Sequence, residues 1–131
     1  MERRSPKDIV AGYRLLTEVQ RQFPEDSELY NTIGNALFVG KQYGEAVKAF
    51  ELAVRFDPGS SQREANLAQA YEATGDPRLA QQHLERAMEI DPLNLNAAVT
   101  LIRLYDTSGQ IDKGRELARK LSELAGRKAS E

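Results

Sequence analysis

The sequence predicts an all-α fold, a solenoid of about seven helices stacked as antiparallel pairs in a single domain, residues 1–131. Three observations carry this expectation. Pro24, Pro58 and Pro92 stand 34 residues apart. Large and small residues repeat in step with them: Ile33, Leu67 and Leu101 align, as do Gly34 with Ala68, Ala46 with Ala80, Phe50 with Leu84, and Ala53 with Ala87. Apolar residues between the prolines recur at helical spacing, and each repeat is split by a short glycine-containing turn. Self-similarity at a fixed period fixes the architecture, because each unit buries its apolar face only against its neighbours.

Residues 5–22 read as one helix. Ser5 supplies a capping hydroxyl, and Pro6 suits the first helical position, where its missing N–H costs nothing. Gly12 falls at the register of Ala46 and Ala80, and Leu16 at that of Phe50. This segment is therefore an amputated half-repeat or an N-terminal cap. Pro24 ends it, since proline cannot continue the hydrogen-bond ladder.

Residues 27–60 form the first full repeat. Asp26 or Ser27 caps a helix over 28–40, the stretch from Gly40 to Gly44 turns, and a helix over 45–56 buries Ala46, Val47, Phe50, Ala53 and Val54. Residues 61–94 form the second repeat, with helices over 61–74 and 77–90. Between these, Gly75 suits a left-handed cap, Asp76 the next N-cap and Pro77 the first helical position. Glu64 stands where the first repeat has Tyr30.

Residues 95–128 form a degenerate third repeat. Leu101, Tyr105 and Gly109 persist, but Gly114 takes the alanine position and Gly126 the proline position. Its last helix, about 111–125, is rich in Lys, Arg and Glu and reads as a C-terminal cap, followed by a fraying tail.

Charged residues are plentiful and nearly balanced, with a net charge of -2. No basic stripe suits nucleic acid. No apolar run approaches the roughly 20 residues of a membrane span. The absence of cysteine removes disulfides and thiolate metal sites, and agrees with a soluble protein of a reducing compartment such as the cytoplasm. His83 is the sole histidine. It is read as a solvated residue on the outer side of a second helix. No catalytic, metal or cofactor set is predicted, and the chain reads as a non-enzyme. The stretch Gly34…Gly40-Lys41-Gln42 is rejected as a phosphate loop, because its glycine spacing is one residue too long and Gln42 replaces the required hydroxyl.

Tyr30, Ile33-Gly34, Leu37, Ala46, Phe50, Ala53 and Pro58 resemble the pattern of the tetratricopeptide repeat, and Leu67-Ala68, Tyr71, Ala80, Leu84, Ala87 and Pro92 resemble it again. The resemblance implies a right-handed superhelix whose first helices line a concave groove. It implies a scaffold that binds a peptide segment or helix of a partner protein there. In repeat register the groove set is Asn31, Asn35, Phe38, Asn66, Gln69, Glu72 and Arg103. Glu28, Gln62, Asn96, Thr100 and Asp106 flank it. An amide both donates and accepts, so it can pair with any peptide backbone, and some members use asparagines in that way. A solvent-facing helix is polar at such positions in any case.

Asn35 and Asn66 match asparagines of a subclass that grips the C-terminal carboxylate of chaperones. The basic residues of that clamp are missing, so chaperone-tail binding is not predicted. Acidic groove residues outnumber Arg103, which favours a neutral or mildly basic ligand. The alternative is a structural module, self-associating through its terminal helices by way of Ile9, Tyr13 and Leu16, or an interaction segment of a larger protein.

Overall fold

A computed structural model describes residues 6–130, with side chains from 11 to 127. Ser5 and the side chains of Lys7, Asp8 and Ile9 lie outside the described residues. Among those described, the chain forms seven helices and no strand: α1 (Pro6–Gln22), α2 (Ser27–Val39), α3 (Tyr43–Phe56), α4 (Ser61–Ala73), α5 (Pro77–Ile90), α6 (Leu95–Thr107) and α7 (Ile111–Ser130). The pairs are α2/α3, α4/α5 and α6/α7. Each second helix packs on the first helix of the next pair, and α1 rests on α2 and α3. The result is an α-solenoid.

The repeat is written into the caps. Asp26, Ser60 and Asn94 accept from the backbone N–H of Leu29, Arg63 and Ala97, each three residues on. Asp26 therefore caps α2. Ser27 instead donates to the carbonyl of Ala53 at 2.7 Å, and Ser61 likewise to Ala87 at 2.8 Å. Two adjacent polar residues thus divide the work: one starts the helix and the other ties it to its partner.

Each pair turns through a left-handed residue at the same register. Gly75 (φ +83°) and Gly109 (φ +81°) fill two of these positions, and Lys41 (φ 61°) fills the first. The Gln42 N–H bonds to the Leu37 carbonyl at 2.8 Å, as Asp76 does to Tyr71 and Gln110 to Tyr105. Gly40 and Gly44 flank the strained lysine, yet neither takes its place.

Close approach explains the small residues. A Cβ on Gly34 would sit 2.5 Å from the Phe50 ring. Ala46, Ala53, Ala80 and Ala87 are fully buried. The core falls into two clusters. One is centred on Tyr30, Leu37 and Phe50, the other on Leu84, Leu101 and Tyr105, and α4 contributes to both.

Four expectations are corrected. Val54 is half-buried. Leu16 is buried in the first cluster, so it cannot serve an outward docking face; its neighbour Tyr13 is exposed. Helix α7 runs on through Gly126 to Ser130, because nothing in that stretch breaks a helix as proline does in the other copies.

The fourth correction concerns His83. Its side chain is only 17% exposed, and its Nδ1 lies 2.7 Å from Oε2 of Glu64. Its ring stacks on Tyr71 with centroids 5.4 Å apart. Glu64 itself is 1% exposed, and Arg86 approaches its other oxygen at 3.7 Å. Where the first repeat buries Tyr30, stacked on Phe56, the second buries a carboxylate. That demands partners, because an unpaired buried charge is costly. His83 and Arg86 supply them from α5.

Candidate peptide-binding face

Helices α2, α4 and α6 are the first members of their pairs, and polar side chains bridge each to the next. Between α2 and α4, Arg63 donates from Nε to the Ser27 hydroxyl at 2.9 Å and from Nη2 to Glu28 at 3.0 Å. Its Nε also lies 3.4 Å from Asp57. One turn on, Asn66 Nδ2 donates to Asn31 Oδ1 at 3.1 Å, while Asn66 Oδ1 accepts from Gln62 at 3.0 Å. Between α4 and α6, Asn94 Nδ2 donates to the Ser61 hydroxyl at 2.8 Å. Arg103 pairs with Glu72 at 2.7 Å.

The predicted groove residues divide into three groups. Asn31 and Asn66 come together and are half-buried, each spending part of its hydrogen-bonding capacity on the other. Glu72 and Arg103 come together as an ion pair. Asn35 and Gln69 occupy one register on successive helices and are exposed. Neither engages another described side chain, so their amides are open to a ligand backbone. Phe38 does not join them. It is half-buried against the first core cluster, with its ring meeting Tyr43 edge-on at 5.1 Å.

The acidic excess expected from the sequence shrinks. Arg63 neutralises Glu28 and Arg103 neutralises Glu72, which leaves Asp106 as the acidic groove residue without an ion-pair partner among the described residues. Arg63 was the residue missed. The signal for it was its position in the first turn of α4, one residue beyond the register of Glu28.

Behind this face, two tyrosines tie each second helix to the next first helix. The Tyr71 hydroxyl donates to Glu51 at 3.1 Å and that of Tyr105 to Glu85 at 3.0 Å. Burial, reinforced by the neighbouring carboxylates, pushes both phenols up to about 12. Among the described residues no helix is long and apolar enough to cross a membrane, and no group of His, Asp and Glu is arranged to hold a metal ion.

The comparisons with known proteins agree with this architecture. Two family models, each described as tetratricopeptide repeat, match residues 13–61 and 71–128. Cellulose synthase operon protein C of Escherichia coli K12 is 31% identical over 88 residues, which is 67% of this chain. The chain spans only 8% of the length of that relative. Among solved structures, MamA superposes with a TM-score of 0.79 at 21% identity, covering 88% of this chain and 68% of MamA. The tetratricopeptide domain of Arabidopsis OM64 gives 0.69 at 24% identity, covering 79% and 85%. The tetratricopeptide domain of Aspergillus fumigatus Sgt2 gives 0.69 at 26%, covering 77% and 67%. Domains of this kind generally mediate protein–protein interaction. With its 34-residue period, its paired helices and both halves matched by the same family description, the chain belongs to the tetratricopeptide repeat family.

Proposed function

We propose that this chain is a non-enzymatic interaction module that holds an extended segment of a partner protein across the face of α2, α4 and α6. The observation that carries this reading is the pair Asn35 and Gln69: one register, successive helices, exposed, and with unspent amides. Such groups pair with a peptide main chain whatever its side chains. The Asn31–Asn66 bridge lies beside them and fixes the spacing of α2 and α4. Arg63 and Arg103 leave the face close to neutral, which suits a ligand without strong net charge.

Affinity of such a face is on the order of micromolar, about -8 kcal/mol. The test is capture of a partner by the wild-type chain and by Asn35→Ala/Gln69→Ala, followed by calorimetric titration of the captured segment. Loss of binding in the double variant with an unchanged melting temperature supports the reading. Equal affinity of the two proteins moves the function off this face.

A further inference from the structure

One side chain of each first helix seats against the second helix of its own pair, and the three copies fill that seat differently. In the first repeat it is Tyr30, 1% exposed. Its ring stacks on Phe56, and its hydroxyl donates to the Pro24 carbonyl at 2.9 Å. In the second it is Glu64, equally buried and met by His83 and Arg86. In the third it is Ala98, a further 34 residues on. Ala98 has no atom beyond Cβ with which to reach the counterparts of these partners.

The seat itself persists. The counterparts of Pro24 and Phe56 are Pro92 and Leu124, and those of His83 and Arg86 are Leu117 and Lys120. All four line one cavity of about 280 Å³ between α5 and α7. Leu121 lines it too, large where the earlier copies bury Ala53 and Ala87, and space remains beside it. An apolar cavity of about 150 Å³ is enough to hold a benzene ring. Among the described residues no N–H or hydroxyl donates to the Pro92 carbonyl. The walls belong to α5, to its link with α6 and to α7, all of which are described.

We infer that this seat takes a tyrosine side chain presented by a partner protein, held as the chain holds its own Tyr30. The ring lies against Leu117, Leu121 and Leu124, and the hydroxyl donates to the Pro92 carbonyl. The charges beside the seat favour a neutral ring. The Glu85 carboxylate is occupied by Tyr105, and exposed Glu89 and Lys120 are of opposite sign. This site lies between two second helices, apart from the face of α2, α4 and α6.

The probe is acetyl-Gly-Tyr-Gly-amide, titrated into the isotope-labelled chain and followed by amide chemical shifts. Shifts confined to α5, α6 and α7 are expected, with saturation at millimolar peptide. Acetyl-Gly-Phe-Gly-amide, which lacks the hydroxyl, should bind about fivefold more weakly. Ala98→Tyr fills the seat from within and should raise the melting temperature and abolish the shifts. Lys120→Trp, at an exposed position, closes the seat from outside and should weaken binding about tenfold or more with an unchanged melting temperature. Asn35→Ala/Gln69→Ala should leave this binding unchanged, so the two sites fail or stand separately. Absence of shifts at millimolar peptide, or undiminished binding to Ala98→Tyr, overturns the proposal. A lowered melting temperature or loss of folding in Ala98→Tyr does so too, because the added ring would then have no seat to enter. Binding of p-cresol without binding of the capped peptide assigns the seat to a free phenol and overturns it as well. So does a dimer of the chain alone that both Tyr13→Ser and Ala98→Tyr dissociate, since Tyr13, 55% exposed, would then be the occupant.

Discussion

The Tyr71 hydroxyl donates to Glu51 across the first repeat boundary at 3.1 Å, and 34 residues on Tyr105 does the same to Glu85. Each bond joins the second helix of one pair to the first helix of the next. Both phenols are pushed from the ordinary 10 up to about 12 by burial and by the carboxylate. Below pH 10 the folded and unfolded chains are both protonated, and the contribution of the two tyrosines to stability is fully present. Between 10 and 12 the unfolded chain sheds protons that the folded chain keeps, so stability falls as pH rises through that window. Urea midpoints measured at about pH 9 and about pH 11 should show this fall, and Tyr71→Phe/Tyr105→Phe should flatten it.

Lys41 occupies a left-handed conformation that glycine fills at the two equivalent turns. Lys41→Gly relieves the clash between Cβ and backbone. We expect stabilisation of about 0.5–1 kcal/mol. Gly75→Ala imposes the same clash and should destabilise by about 1 kcal/mol. Thermal denaturation of the two variants should move in opposite directions.

Two glycines inside helices are predicted to behave differently. Gly34→Leu drives a side chain into Phe50 and should cost about 1–3 kcal/mol. At Gly114 an added Cβ would come no nearer than 3.4 Å to Asp106 and 3.6 Å to Tyr105. Gly114→Ala therefore fits, and should stabilise α7 by about 0.5–1 kcal/mol. A chemical denaturation series on both proteins reads the sign directly.

Removing His83 leaves the Glu64 carboxylate buried with only the distant Arg86. His83→Ala should destabilise by about 3 kcal/mol. Removing the charge together with its partner is another matter. Glu64→Leu/His83→Leu should come close to wild type or above it, since an apolar pair of similar volume often matches a buried ion pair. If the effects of Glu64→Leu and His83→Leu measured singly simply add to that of the double variant, the two side chains do not act as a pair.

The period, the helix pairing and the small-to-large alternation were legible in the sequence because each follows from local spacing. The groove residues were legible as a register but not as a network. That Asn31 and Asn66 meet, and that Arg63 reaches Glu28, depends on how far apart α2 and α4 settle. The buried Glu64 was visible only as a departure from Tyr30. Its partner His83 was read as solvated, because a second helix seen alone has no means of showing that a carboxylate from α4 lies beneath it. Leu16 failed for the opposite reason: a helix read as a half-repeat leaves it open, yet α2 and α3 cover it.

Helix α4 supplies Leu67 and Ala70 to one core cluster and Ala65 and Ala68 to the other. Among the described residues no other helix divides its buried residues between them in this way. In a quasi-one-dimensional array, free energy passes only between neighbours. Helix α4 is therefore the coupler between two cooperative blocks. Its hydrogen-bonded amides should exchange no faster than the slower block, and loosening it should turn one unfolding transition into two.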